Sequence, residues 1–83
     1  MKLIKTIVVE DVKVEVYPGP FFKLFIDDEE IGHVDSIVGV NNRPTGGFMY
    51  YHIRTEKTVW NNGRNPMRAI ERLIRLDDKF RQA

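Results

Sequence analysis

The chain has 83 residues, 42% apolar and 30% charged, with no cysteine and a formal net charge of +1. These proportions suit a single small domain over residues 1–83 with a thin core, because a chain of this size buries only about 60–65% of its unfolded surface. They exclude a disulfide framework, a thiolate zinc site and a cysteine nucleophile, and no apolar run approaches the roughly 18–20 residues that span a bilayer.

The start, Met1-Lys2-Leu3-Ile4-Lys5, is not followed by a signal-peptide core, because Glu10 and Asp11 arrive too soon. A cytoplasmic location without membrane contact is therefore expected. The charge is unevenly divided. Residues 1–42 hold four lysines and eight carboxylates, a charge of −4, whereas residues 43–83 hold two lysines, seven arginines and four carboxylates, a charge of +5. Asymmetry of this kind points to a polyanion or an acidic partner. Arginine, preferred in the basic half, is the better bidentate donor to phosphate and carboxylate. Plain solubility explains the same asymmetry about as well.

Leu3 to Val9 is apolar and β-branched and reads as a strand. Val12, Val14 and Val16 alternate with Lys13 and Glu15, the period of a half-buried strand. Glu10-Asp11 between them is a tight turn or a kink, since one 15-residue strand would far exceed the usual ~5–6 residues. Pro18-Gly19-Pro20 breaks the chain. Phe22, Leu24 and Ile26 alternate next, and β character resumes from Ile31 to Val40, which makes a hairpin tipped by Asp27, Asp28, Glu29 and Glu30. Asn41 to Gly47 is loop-like and carries Arg43. Phe48 to Thr55 forms an aromatic strand, and Thr58-Val59-Trp60 either continues it or pairs as a short edge. Asn65 is a good N-cap and Pro66 suits the first helical position, so a helix is predicted from Pro66 to about Lys79 or Phe80.

On a helical wheel, Met67, Ala69, Ile70, Leu73, Ile74, Leu76 and Phe80 fill one broad apolar side. Asp77 falls on that side, so the last turn is expected to fray or turn away. Arg68, Arg72, Arg75 and Lys79 fall within roughly 60° of arc on the opposite side, and Arg64 extends their line into the preceding loop. A solvated face balanced by Glu71 and Asp78 would give the same pattern. Against it, Arg64 and Arg68 flank the helix N-terminus, where the dipole favours anions rather than cations.

Tyr50, His52 and Arg54 share one face of their strand, and Met49, Tyr51 and Ile53 share the other. The second set is the more apolar and is expected to meet the helix. Tyr50, His52 and Arg54 then lie on the open face, where aromatic and cationic groups can stack bases and touch phosphates. Both sheet faces carry apolar groups and one helix can cover only one of them, so a homodimer or a partner-bound state is expected.

Catalysis finds little support. The histidines His33 and His52 have no nucleophile beside them at motif spacing, and a metal site joining both with Asp35 requires their strands to pair. The glycines form no phosphate-binding pattern. We expect a non-enzyme with no cofactor, no metal and no catalytic residues.

The run Gly63-Arg64-Asn65-Pro66-Met67-Arg68-Ala69, with Ile70, Leu73 and Ile74 after a sheet, resembles the closing part of two kinds of nucleic-acid binder. One is the double-stranded RNA-binding domain. The other is the sheet-reading DNA-binding domain of integrase arms and certain plant transcription factors. The chain lacks the first helix and paired lysines of the former and the Arg/Trp sheet pattern of the latter, so neither family is assigned.

The expected fold is α+β: an antiparallel sheet of four to five strands with one C-terminal amphipathic helix packed on one face. The expected function is nucleic-acid binding, to DNA or RNA. Arg64, Arg68, Arg72, Arg75 and Lys79 supply phosphate contacts, and Tyr50, His52 and Arg54, or Arg43, supply a second anchor. The alternative is a protein-interaction module or inhibitor, of the kind carried by mobile elements, acting through Asp27–Glu30 and the uncovered sheet face.

Overall fold

In the computed structural model, which describes residues 2–41 and 43–82, six strands precede one helix. They are β1 (Lys5–Val9), β2 (Val12–Tyr17), β3 (Phe21–Ile26), β4 (Glu29–Val38), β5 (Pro44–His52) and β6 (Lys57–Asn61), followed by α1 (Pro66–Gln82). Spatial order equals chain order, and every neighbouring pair is antiparallel. The α+β architecture with a C-terminal helix on an antiparallel sheet is as expected. The strand count is not: there are six strands rather than four or five. Glu10 and Asp11 both take positive φ, 49° and 66°, a two-residue hairpin turn that splits the first run into β1 and β2. Lys57–Asn61 pairs with β5 as a separate edge strand.

Register across the sheet decides which face is buried. One row reads Val16, Phe22, Val34, Tyr50, Val59, and the next reads Ile7, Val14, Leu24, Gly32, His52, Lys57. Both rows lie under the helix, where Val14, Leu24, Val34 and His52 are fully buried. Ile31, opposite no residue at the bulge between β3 and β4, also turns into the core. At Gly32, β4 passes so close to its neighbours that a Cβ would lie 2.1 Å from the Tyr51 carbonyl oxygen and 3.0 Å from Leu73 Cδ2.

The helix starts as its sequence dictates. Asn65 Oδ1 accepts the Met67 N–H at 3.0 Å, with Pro66 at the first position. Ala69, Ile70, Leu73 and Ile74 are buried against the sheet, and each larger one contributes roughly 1.5–3 kcal/mol. The helix does not fray at Asp77 but runs on to Gln82. A meander places the β1–β2, β3–β4 and β5–β6 turns at one end and the remaining connections, with the helix N-terminus, at the other. No helix among the described residues is long and apolar enough to cross a membrane.

Candidate nucleic-acid interface

Arg64, Arg68, Arg72, Arg75 and Lys79 are all exposed. None of the ion pairs among the described residues includes any of them. The carboxylates expected to balance them are engaged elsewhere or stand off. Asp78 pairs with Arg81, and Glu71 lies among Arg68, Arg72 and Arg75 without an ion pair. The ridge begins where Arg64 crosses Gly46, whose φ of 89° and missing Cβ leave the side chain room; a Cβ there would sit 3.5 Å from Arg64 Nε.

A sixth cation joins from the sheet. A groove of about 440 Å³ separates α1 from the edge strand β6, with Lys57 on one wall and Arg72, Arg75 and Lys79 on the other. Tyr50, Val59 and Leu76 complete its lining, which contains no carboxylate. Lys57 was not singled out from sequence. Its signal lies in the register, where it faces His52 across the β5–β6 pair. Arg43 is exposed on the β4–β5 connection, at the same end as Arg64.

Tyr50, His52 and Arg54 are not on the open face. Tyr50 and His52 lie under the helix, 7% and 0% exposed, because the rows of neighbouring strands, not the apolarity of β5 alone, set its orientation. Arg54 is not in the strand, which ends at His52; it belongs to the Ile53–Glu56 turn. That turn folds back to build a buried polar cluster. His52 Nε2 lies 2.7 Å from Asp77 Oδ1, and His52 Nδ1 lies 2.7 Å from Thr55 Oγ1. Both ring nitrogens are therefore engaged. Arg54 Nε approaches Asp77 Oδ1 at 3.7 Å, and Arg81 Nε approaches Oδ2 at 3.1 Å. Asp77 therefore sits on the apolar side, hydrogen-bonded to His52, with the Arg54 and Arg81 guanidinium groups beside it to offset its charge although neither completes a hydrogen bond to it. A metal site joining His33 and His52 is ruled out by geometry: the strands pair, but with His33 opposite Tyr51 and Gly32 opposite His52 the two rings lie on opposite faces.

The acidic hairpin does not act as one cluster. Asp27 and Asp28 form the turn itself, at φ 51° and 64°. Glu29 reaches Arg54 at 3.5 Å, and Glu30 pairs in register with Phe25 of the open face.

That open face carries a row of rings not anticipated as such. Tyr17–Phe21, Phe21–His33 and His33–Tyr51 have centroid separations of 6.0, 5.4 and 5.4 Å. The Tyr17 hydroxyl donates to Glu15 at 2.7 Å. That bond, helped by desolvation and by the charges of Glu15 and Glu30, raises the phenol above its ordinary pKa.

No protein-family model matches the chain, and no curated protein or solved structure matches it.

Proposed function

We propose that this protein binds nucleic acid through the phosphate backbone, with α1 as the contact element. One observation carries the reading: Arg68, Arg72, Arg75 and Lys79 stand exposed along one side of α1, with Arg64 exposed just before it, and among the described residues no carboxylate forms an ion pair with any of them. From Arg68 to Lys79 the helix rises eleven steps, about 16 Å at 1.5 Å per residue. Lys57 widens the strip across the groove and takes the second-anchor role first given to Tyr50, His52 and Arg54. Contacts of this type position a protein on a polyanion and carry little sequence information, so binding is non-specific or shape-selective. The role is one of binding without a chemical step, exercised in the cytoplasm.

A mobility shift with duplex DNA, duplex RNA and single strands at two salt concentrations tests this. Affinity should fall steeply with salt, with a log–log slope of about −4 to −5 if five phosphates are neutralised on duplex. Arg72→Ala should reduce the slope by about 1, and Arg72→Glu with Arg75→Glu should abolish the shift near 50 mM salt. Absence of salt-sensitive binding to every probe would falsify the proposal.

A further inference from the structure

The groove between α1 and β6 arises because the helix stops short of the sheet edge. α1 packs chiefly on β4 and β5, so the inner face of β6 is left half open. Val59 shows this: it shares a row with Val34 and Tyr50, which are buried, yet is itself only half-buried. On the facing wall, Arg72, Leu76 and Lys79 are spaced i, i+4 and i+7 and so share one side of the helix.

Burial orders the lining by depth. Tyr50 is buried, Val59 and Leu76 are half-buried, and Lys57, Arg72, Arg75 and Lys79 are exposed. The result is an apolar floor under a cationic rim, with no carboxylate among the described residues of the lining. Phosphate alone needs only the rim. A duplex cannot use the floor, because its bases are stacked inside the helix and out of reach.

The ligand that matches both parts joins an apolar plate to an anion within one unit. An unpaired nucleotide does so, since its base has a π-face and its phosphate carries the charge. In an acidic peptide the carboxylate and the apolar side chain belong to different residues. A peptide that extended the sheet at β6 would use the outer edge of that strand, not the inner face where the cations stand. The volume agrees: about 440 Å³ lies at the small end of the ~300–1,000 Å³ of small-ligand sites, which suits one nucleotide. Arg68 and Arg64 continue the cations toward the helix N-terminus, where the next phosphates of the same strand would lie. We propose that the protein prefers single-stranded nucleic acid, with one unpaired base seated on Val59 and Leu76 and the adjoining phosphates held by Lys57, Arg72, Arg75 and Lys79. The preference rests on the phosphate-binding role of α1 proposed above and adds to it the form of the polyanion.

Fluorescence anisotropy with three probes tests this: a thymidine single strand of about 12 nucleotides, within the ~4–16 of single-strand sites, an abasic strand of equal length, and a duplex of equal length. The two strands carry the same charge and differ only in their bases. Near 50 mM salt the base-bearing strand should bind at least about fivefold tighter than the abasic one, and tighter than the duplex. Val59→Asn and Leu76→Gln should each cut the fivefold ratio below about twofold while leaving the salt slope unchanged, whereas Lys57→Ala should reduce that slope by about 1. Trp60→Ser, on the opposite sheet face, should leave the ratio intact; its loss there would seat the base on the open face and overturn the proposal. Should a floor variant fail to fold, photocrosslinking of a 4-thiothymidine strand to the native chain decides: crosslinks within residues 57–59 or 72–79 support the site, and crosslinks on the open face alone overturn it. Equal, salt-sensitive binding of base-bearing and abasic strands, or tighter binding of the duplex, overturns the preference and leaves the phosphate-binding role standing. Binding to none of the probes removes both. An alternating Glu-Phe peptide of equal charge that binds more tightly than the strand assigns the groove to a protein partner and also overturns the proposal.

Discussion

Asp77 is a carboxylate with no exposure, approached by His52, Arg54 and Arg81. Removing one member of a buried charged cluster is far costlier than the cluster's own net contribution, because the remaining groups stay desolvated without a partner. Asp77→Ala should therefore lower unfolding free energy by about 3–5 kcal/mol, most of what a domain of this size possesses. Asp78→Ala, one residue on and half exposed, should cost under ~1 kcal/mol, and urea titrations of the two variants make the comparison. Both ends of this cluster are visible in the sequence, an acid in the middle of an apolar helical stripe and a histidine on an aromatic strand. What sequence does not supply is their proximity. Ranking the two sides of β5 by apolarity placed His52 outward, and the five-strand row containing Tyr50 and Val34 placed it inward.

The two acidic hairpin turns are elements whose chemistry opposes their geometry. Glu10-Asp11 and Asp27-Asp28 all hold positive φ, a region that β-carbon sterics penalise and that Asn-Gly usually fills. Asp28→Gly and Asp11→Gly should each raise stability by about 0.5–1 kcal/mol, read as a higher urea midpoint at unchanged slope. A loss of stability would show that these carboxylates contribute more than their backbone costs. The turns explain why the strand count was short from sequence: without Asn or Gly at the tip, Glu10-Asp11 gives no clear hairpin signal. The helix was legible almost to its last turn, because Asn65, Pro66 and a strict apolar period are local signals that need no partner.

At the scale of the molecule, the basic ridge was legible and the groove beside it was not, for the same reason. The ridge depends on the period of one helix, whereas the groove needs Lys57 brought alongside by strand pairing. The order of elements along the chain has a further consequence. Each strand adds beside the one made just before it, so the sheet can assemble during synthesis without waiting for distant residues. Its inner face cannot be sealed until residues 66–74 leave the ribosome. Until then Leu24, Ile31 and Val34 lie bare, and the nascent polypeptide is a natural client for a chaperone that shields apolar surface.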